Sequence, residues 1–338
     1  MSEVARLASG DIELIVAREG SAIRLVHLGA RLPDEDVSTL ALATTRGLHE
    51  NEADERLGQT FLPVEGTGFL GTPAMDGQDF DAMLAAANVD ITDSLMRMTW
   101  SFADDRLSIR TDIRAMGGGV FTVATSARNG RGGDVSLARL ASITLPLPSW
   151  VTHRTTWSGR WAGEMCEETV ALGRAAIQEV SRGGRPGFGG GDWLMLQNGE
   201  AGRINVLAIH LAWSGDYERL VELDENGGGQ VQMGTAVGPD GIALTPGTWT
   251  TMPTVHLAVS TTGRDCLRQS LHRHVITNVL PSAHVRKKRK LHLNTWEALT
   301  FDVSENALIR LATDAAALGV ERFVLDDGWF AGRRNDRK

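Results

Sequence analysis

Cysteine, tyrosine, long apolar runs and surplus positive charge are all scarce in this sequence, and each scarcity removes a class of protein. Two cysteines, Cys166 and Cys266, stand in 338 residues. That is too few for a disulfide framework, and their spacing is not that of a metal site. No window reaches roughly 18 uninterrupted apolar residues, so no membrane-spanning helix is expected. The formal net charge is −8, which argues against a general nucleic-acid binder, because phosphate contacts need an excess of Lys and Arg. The opening MSEVARLASGDIELIVAREG lacks a basic start followed by an apolar run. No signal peptide is expected, and a cytoplasmic location is the default.

What is present is ordinary in bulk and unusual in detail. Hydrophobic residues make up 42% and charged residues 22%, as in soluble globular chains long enough for two domains. Nine tryptophans accompany the single tyrosine. Indole offers a flat apolar face that fills β cores and also suits sugar rings or bases.

The first 260 residues or so read as β-structure. In 107-LSIRTDIR-114, Leu107, Ile109, Thr111 and Ile113 alternate with polar neighbours, the mark of a half-buried strand. Asp104 and Asp105 suit a turn after 98-MTWSF-102. Similar runs occur at 12-IELIV-16, 120-VFTVATSA-127, 135-VSLARLASI-143 and 204-INVLAIHLAW-213. Many short strands with turns between them predict an antiparallel sandwich.

After residue 260 the period changes. Leu267, Leu271, His274 and Val275 share one helical face, and Thr262 with Asp265 resembles a capping box. The basic run 286-RKKRK-290 reads as a solvated linker in an acidic chain. Beyond it, 291-LHLNTW-296 is strand-like and Ser304 can cap a helix with an apolar stripe through Leu308, Leu311, Ala312, Ala315 and Leu318. Gly319 is placed to end that helix, and 320-VERFVL-325 is a second strand. This is one βαβ unit, with its strands expected to pair in parallel. The predicted division is therefore a sandwich over 1–260, a linker helix and basic linker over 261–290, and the start of a barrel over 291–338.

Three leads are set aside. The stretch 66-GTGFLG-71 fits G-x-G-x-x-G, but Thr72 and Pro73 follow it in a β-rich region where a dinucleotide loop needs a helix. The loop 183-GGRPGFGGGDW-193 lacks the ending of a P-loop. His272 and His274, two apart on a helix, point away from each other and are not expected to be ligands.

The informative residues lie at the two strand ends: Asn294, Trp296 and Glu297 after the first, Asp326, Asp327 and Trp329 after the second. In a β/α barrel, function sits at such C-terminal strand ends. A lone acid there would be a helix cap, whereas two consecutive acids beside Gly328 and Trp329 fit a cap poorly. Carboxylates accept hydrogen bonds from neighbouring hydroxyls and tryptophan stacks on a pyranose face. Together they describe a sugar site.

The run 294-NTWEALTFDVSENALIRLATDAAALGVERFVLDDGWFAGR-333 closely resembles the start of the catalytic barrel in α-galactosidases of glycoside hydrolase family 36, the bacterial melibiase group. Weaker likenesses at 28-LGARLP-33, 65-EGTGFLGTPAM-75, 158-SGRWAGE-164 and 213-WSGDY-217 match that family's N-terminal sandwich, so the resemblance spans the chain but only the first half of the family's protein. It implies a fold of β-sandwich (supersandwich) followed by the first βαβ of a (β/α)8 barrel. It also implies hydrolysis of terminal α-linked galactose in melibiose- or raffinose-type sugars, with no cofactor or metal, in a homotetramer.

The same resemblance implies roles for residues. Asp326 and Asp327 match the acid pair that holds galactose hydroxyls, including the axial one. Trp296 matches a tryptophan lining that pocket, beside Trp329. Trp161 matches a sandwich tryptophan that reaches a neighbouring subunit's site, and Asp36 matches, across a gap, an acid with a similar task. The chain departs from the best-known branch at Phe69-Leu70-Gly71 and in the loop before Trp193, which bears on subunit contacts and aglycone preference. Retaining hydrolysis needs two carboxyl groups about 5 Å apart across the scissile bond. The resemblance places both on later barrel strands beyond Lys338, so no catalytic residue is assigned and this span is expected to be inactive alone. An α-N-acetylgalactosaminidase or galactosyl-transferring synthase of the same architecture, or a non-catalytic sugar-binding or assembly module, also fits the acid pair.

Overall fold

The computed structural model of the chain describes residues 3–44, 59–65, 71–78, 81–130, 132–133, 135–185, 187, 191–199, 201, 204–224, 228–285, 287–332 and 335. Residues 66–70 of the motif at 66–71 lie outside them. They form two compact units, Met1–Val275 and Ile276–Lys338.

The first unit is antiparallel β-structure. Its largest sheet has ten strands. Nine run in the order Gly163–Ala171, His153–Arg160, Trp193–Gln197, Val206–Leu211, Val255–Ser260, Val120–Asn129, Leu107–Gly117, Leu95–Phe102 and Leu84–Ile91, and Trp249–Thr251 also pairs with Val120–Asn129. A four-stranded sheet orders Ile143–Pro146, Gly229–Thr235, Tyr217–Leu223 and Ile177–Ser181. Two three-stranded sheets complete the unit. One is the meander Glu3–Ser9, Ile12–Glu19, Ala22–Ala30; the other joins Ile242–Leu244, Val135–Leu140 and Met75–Gln78.

The alternation read in the sequence decides which faces meet. Leu107, Ile109 and Ile113 point into one continuous core with Trp100, Phe102, Phe121, Leu194, Leu207, Leu257, Val231 and Met233. Each fully buried side chain of this size contributes about 2 kcal/mol of transfer free energy. Thr111 shares that face, and its hydroxyl pairs with the Thr125 hydroxyl at 3.1 Å, which in turn donates to the Ser142 carbonyl. The strand Ile12–Glu19 is buried on both faces. Leu14 and Val16 enter the main core, while Ile15 and Ala17 pack on Val37 and Ala41 of the helix Val37–Ala43.

The sequence expectation differs from the structure at three places in this unit. The run 135–143 is two strands in two sheets, Val135–Leu140 and Ile143–Pro146, because Ala141 and Ser142 cross between layers. The helix near 262 spans Arg264–His274 and has no capping box. Its N-cap is Gly263 at φ 98°, and no side chain caps it. Thr262 lies one residue too early, and its backbone N–H bonds to Ser260 Oγ instead. Finally, Val275 is exposed rather than in the stripe, because the regular helix ends at His274. Leu267 and His274 are buried, and Leu271 packs with Leu267 on the outer face of the large sheet. The helix expected to act as a linker thus belongs to the first unit.

The second unit contains the expected βαβ. His292–Asn294 and Arg322–Val324 pair in parallel, with Asn294 opposite Val324. Between them runs the helix Glu305–Ala317, whose N-cap Ser304 accepts the Ala307 N–H. Its C-terminus closes on Gly319 (φ 86°), with Val320 N–H bonded to the Ala315 carbonyl and Gly319 N–H to Ala316, a Schellman closure. Lys287–Lys290 are exposed, as a solvated linker requires. Among the described residues, no helix is long and apolar enough to cross a membrane.

Candidate functional site

The parallel register places the ends of both barrel-type strands side by side, and their polar residues form one bonded group. Asn294 Nδ2 donates to Asp326 Oδ2 at 2.7 Å, and Asn294 Oδ1 accepts the Trp296 N–H at 2.7 Å. The second bond is the Asx-turn geometry an Asn makes with the residue two ahead. It fixes which face of the amide meets the acid. Thr295, fully buried, accepts the Asp326 N–H on Oγ1 at 3.0 Å and donates its own N–H to the Val324 carbonyl at 3.0 Å. The backbone between the strands is therefore tied at both ends.

Asp326 also accepts the Asp327 N–H on Oδ1 at 2.8 Å, capping the 3-10 turn Asp327–Trp329. The cap that was set aside in the sequence is thus part of what this acid does. An ionised carboxylate has about four acceptor sites, and two bonds leave the others for ligand hydroxyls. Asp327 begins the turn and is half-buried.

Gly328 is the residue that lets this turn sit against the preceding loop. A Cβ there would fall 2.3 Å from Val303 Cγ2 and 2.6 Å from the Thr300 carbonyl oxygen. Only glycine fits. Of the two site tryptophans, Trp296 is half-buried and meets Phe301 edge-to-face at 5.1 Å. Trp329 is 60% exposed and stacks on Phe330 at 4.3 Å. Asn294, Thr295, Trp296, Asp326, Asp327 and Trp329 are thus brought together by strand pairing.

Trp161 and Asp36 belong to the first unit. Trp161 follows the strand His153–Arg160 at the tip of its hairpin with Gly163–Ala171, and it is 76% exposed. Asp36 ends the 3-10 turn Asp34–Asp36 and precedes the helix Val37–Ala43 without capping it. The segment leading to Asp36 is clamped. Buried Glu13 accepts the Leu32 N–H at 2.6 Å, and Arg6 pairs with Glu13 at 2.7 Å while donating to the Leu32 carbonyl at 2.8 Å. Arg6 also pairs with Asp34.

Sequence reasoning singled out the acids and tryptophans but not the parts that hold them. Thr295 and the close approach at Gly328 were missed. The Asn294 contact had a readable signal, an Asn two residues before Trp296 at a strand end.

Comparison with known proteins supplies the remaining observations. Residues 21–244 match the family model described as the Glycosyl hydrolase family 36 N-terminal domain, and residues 249–338 match the model named Melibiase. An alpha-galactosidase of Escherichia coli is 28% identical across all of this chain, which covers 48% of that protein. Alpha-galactosidase AgaA of Geobacillus stearothermophilus is 28% identical over 65% of the chain and 30% of its own length. The chain thus spans about half or less of the relatives it matches. Among solved structures, the galactosidase domain of alpha-galactosidase-sucrose kinase AgaSK superposes with a TM-score of 0.86 at 18% identity, over 98% of this chain and 51% of that one. GH36 alpha-galactosidase AgaB from Geobacillus stearothermophilus gives 0.83 at 22% identity, over 99% and 50%. At these identities the structures establish a shared fold, a β-sandwich followed by the start of the catalytic domain.

Proposed function

Because the chain belongs to glycoside hydrolase family 36, we propose that its strand ends form the galactose-gripping part of an α-galactosidase. The whole protein then hydrolyses terminal α-D-galactose from melibiose- or raffinose-type sugars with retention. The observation that carries this reading is the Asn294–Asp326 bond between parallel strand ends. It fixes one carboxylate of an adjacent pair at the strand ends that also carry Trp296 and Trp329, and carboxylates for vicinal hydroxyls with indoles for the apolar side are the equipment for binding a pyranose. Asp326 and Asp327 take hydroxyls, and Trp296 and Trp329 line the ring.

The chemistry itself is assigned elsewhere. A nucleophile and an acid/base must approach the anomeric carbon from opposite sides, about 5 Å apart. Asp326 already caps its own turn and bonds Asn294, and Asp327 is its direct neighbour, so the pair serves recognition. The two catalytic acids belong to barrel strands outside this span. In the assembled protein, proposed to be a tetramer, the exposed Trp161 and the clamped Asp36 reach toward a neighbouring subunit's sugar.

Calorimetry tests the assignment directly. Galactose should bind this chain and glucose should not, and the Asp326→Ala variant should lose the heat. Binding that survives this substitution would put the sugar on the sandwich and overturn the reading. On an aryl α-galactoside the chain should show no turnover above the Asp326→Ala, Asp327→Ala variant.

A further inference from the structure

The outer face of the ten-stranded sheet carries a row of titratable side chains that the sugar site does not use. Register puts Trp193 opposite His210, His210 opposite His256, and His256 opposite Thr122. Their odd-numbered neighbours Ile209, Leu257 and Val123 enter the main core, so His210 and His256 share the opposite face. On that face Val120, Ala208 and Ala258 pack against Leu267 of the helix Arg264–His274. The last residue of this helix, His274, is 4% exposed and faces the row, with its Nε2 2.9 Å from His256 Nδ1. The rings meet edge-on with centroids 4.9 Å apart, and His210 lies 6.1 Å from His256 on the other side.

We propose that His256 and His274 form a proton-sensitive latch that holds the helix Arg264–His274 on the sheet and releases it on acidification. Two facing ring nitrogens need one hydrogen between them: one donates and the other accepts. A neutral pair satisfies this, and so does a singly protonated one. A second proton puts N–H against N–H and one cation against another, and the contact is lost. Leu271, three residues before His274, packs on the same face of the sheet. Leu267 sits two turns before His274, and Val275 is exposed.

The surroundings work against the charged form. Toward His256 the sheet presents His210 on one side and the uncharged Thr122 on the other, with Arg114 one strand further along the row. The helix presents His274. Its other charged groups are engaged elsewhere: Arg264 with Glu167 and Gln197, Arg268 with Asp265, and Arg273 with Ser270, while His272 is exposed. His256 and His274 donate and accept across the 2.9 Å contact between them. Asp192 lies 3.5 Å from His210 Nε2, at the other end of the row. Burial, then the neighbouring His274 and His210, push His256 down to about 4, and burial pushes His274 down as well. Among the described residues, no group of three or more His, Cys, Asp or Glu is arranged to hold a metal ion.

The sign follows from linkage. A histidine that titrates at about 4 when docked and near 6.5 when released favours docking fully above about 6.5 and loses that preference as pH falls toward 4. His210 stays beside His256 on the sheet after release, so for His256 alone the docking equilibrium changes by at most about 100-fold across that window. The residue after the latch, Val275, begins the π-helical stretch Val275–Val279.

Hydrogen exchange on the whole chain tests the latch. Protection factors for 264–274 should fall at least about tenfold between pH 7 and pH 4.5, while Val206–Leu211 and Val255–Ser260 stay protected. His256→Gln keeps a hydrogen-bonding group and does not titrate, and it should cut the fall to less than about threefold. If that variant does not fold, His274→Gln serves the same purpose. The latch is refuted if helix protection is unchanged at pH 4.5, if it falls together with the strands, or if the variant behaves as the wild type does.

Discussion

Asn294 shows how one side chain can decide the aim of another. Its amide oxygen is committed to the Trp296 N–H and its amide nitrogen to Asp326, so Asn294→Ala frees the acid and loosens the start of the following helix together. A hydrogen bond to a charged group near the surface contributes about 1 kcal/mol. We expect a loss of that size in urea unfolding and a weaker galactose heat in calorimetry, whereas Asn294→Asp should abolish binding by placing a like charge against Asp326. Gly328→Ala is the severer change at this scale. Its Cβ would strike a backbone oxygen as well as Val303, and overpacking of that kind costs roughly 1–3 kcal/mol. It should remove galactose binding, and a Gly328→Ala chain with unaltered affinity would show that the turn has room the structure does not give it.

At the scale of elements, what the sequence made legible was periodicity and what it hid was partnership. The alternation of Leu107, Ile109, Thr111 and Ile113 announced a strand, and the Asp104–Asp105 turn is there, with Asp105 at φ 54° and its N–H bonded to the Phe102 carbonyl. Nothing in 135-VSLARLASI-143 announced a change of sheet, because both halves are equally apolar and the break at Ala141–Ser142 carries no Gly, Pro, Asn or Asp. The Thr262–Asp265 pattern suggested a cap, yet the chain needed a left-handed residue at Gly263, whose N–H bonds to the Ile204 carbonyl. The acid pair was legible because acids at a strand end stand out against an apolar run. Thr295 was not, because its role exists only once the strands pair. Two substitutions probe elements here. Leu267→Ala removes the buried anchor of the helix Arg264–His274 and should cost about 2–4 kcal/mol in denaturant unfolding. Trp161→Ala, at an exposed hairpin tip, should change stability by less than about 0.5 kcal/mol while altering assembly by sedimentation.

Across the whole molecule, the two units differ sharply in what they bury. The first has a continuous core through its sheets. In the second, only Thr295, Ala315 and Gly328 are buried among the described residues, while Leu291, Ile309, Leu318 and Trp329 are more than half exposed. A parallel pair of strands needs cover on both faces, so amides of His292–Asn294 and Arg322–Val324 should exchange well before those of the sandwich. Acid should act chiefly on the first unit. Burial raises Asp112, but its bonds to Arg97 at 2.7 and 2.8 Å outweigh that and hold it below the usual carboxylate value. Its contribution is present above the unfolded value and lost as pH falls through the lower, folded one. His256 adds a loss between about 6.5 and 4. The urea midpoint of the sandwich should therefore drop from pH 7 to pH 4.5, and less so in His256→Gln.

One consequence of the Asp326 geometry concerns time rather than strength. With one oxygen on Asn294 and the other on its own turn, the carboxylate has no rotation left to lose in binding the galactose proposed for it. It cannot swing to follow a hydroxyl set at the wrong angle. An epimer is then met by a fixed gauge, and discrimination should be read as faster escape of the wrong sugar, with both sugars arriving at similar rates.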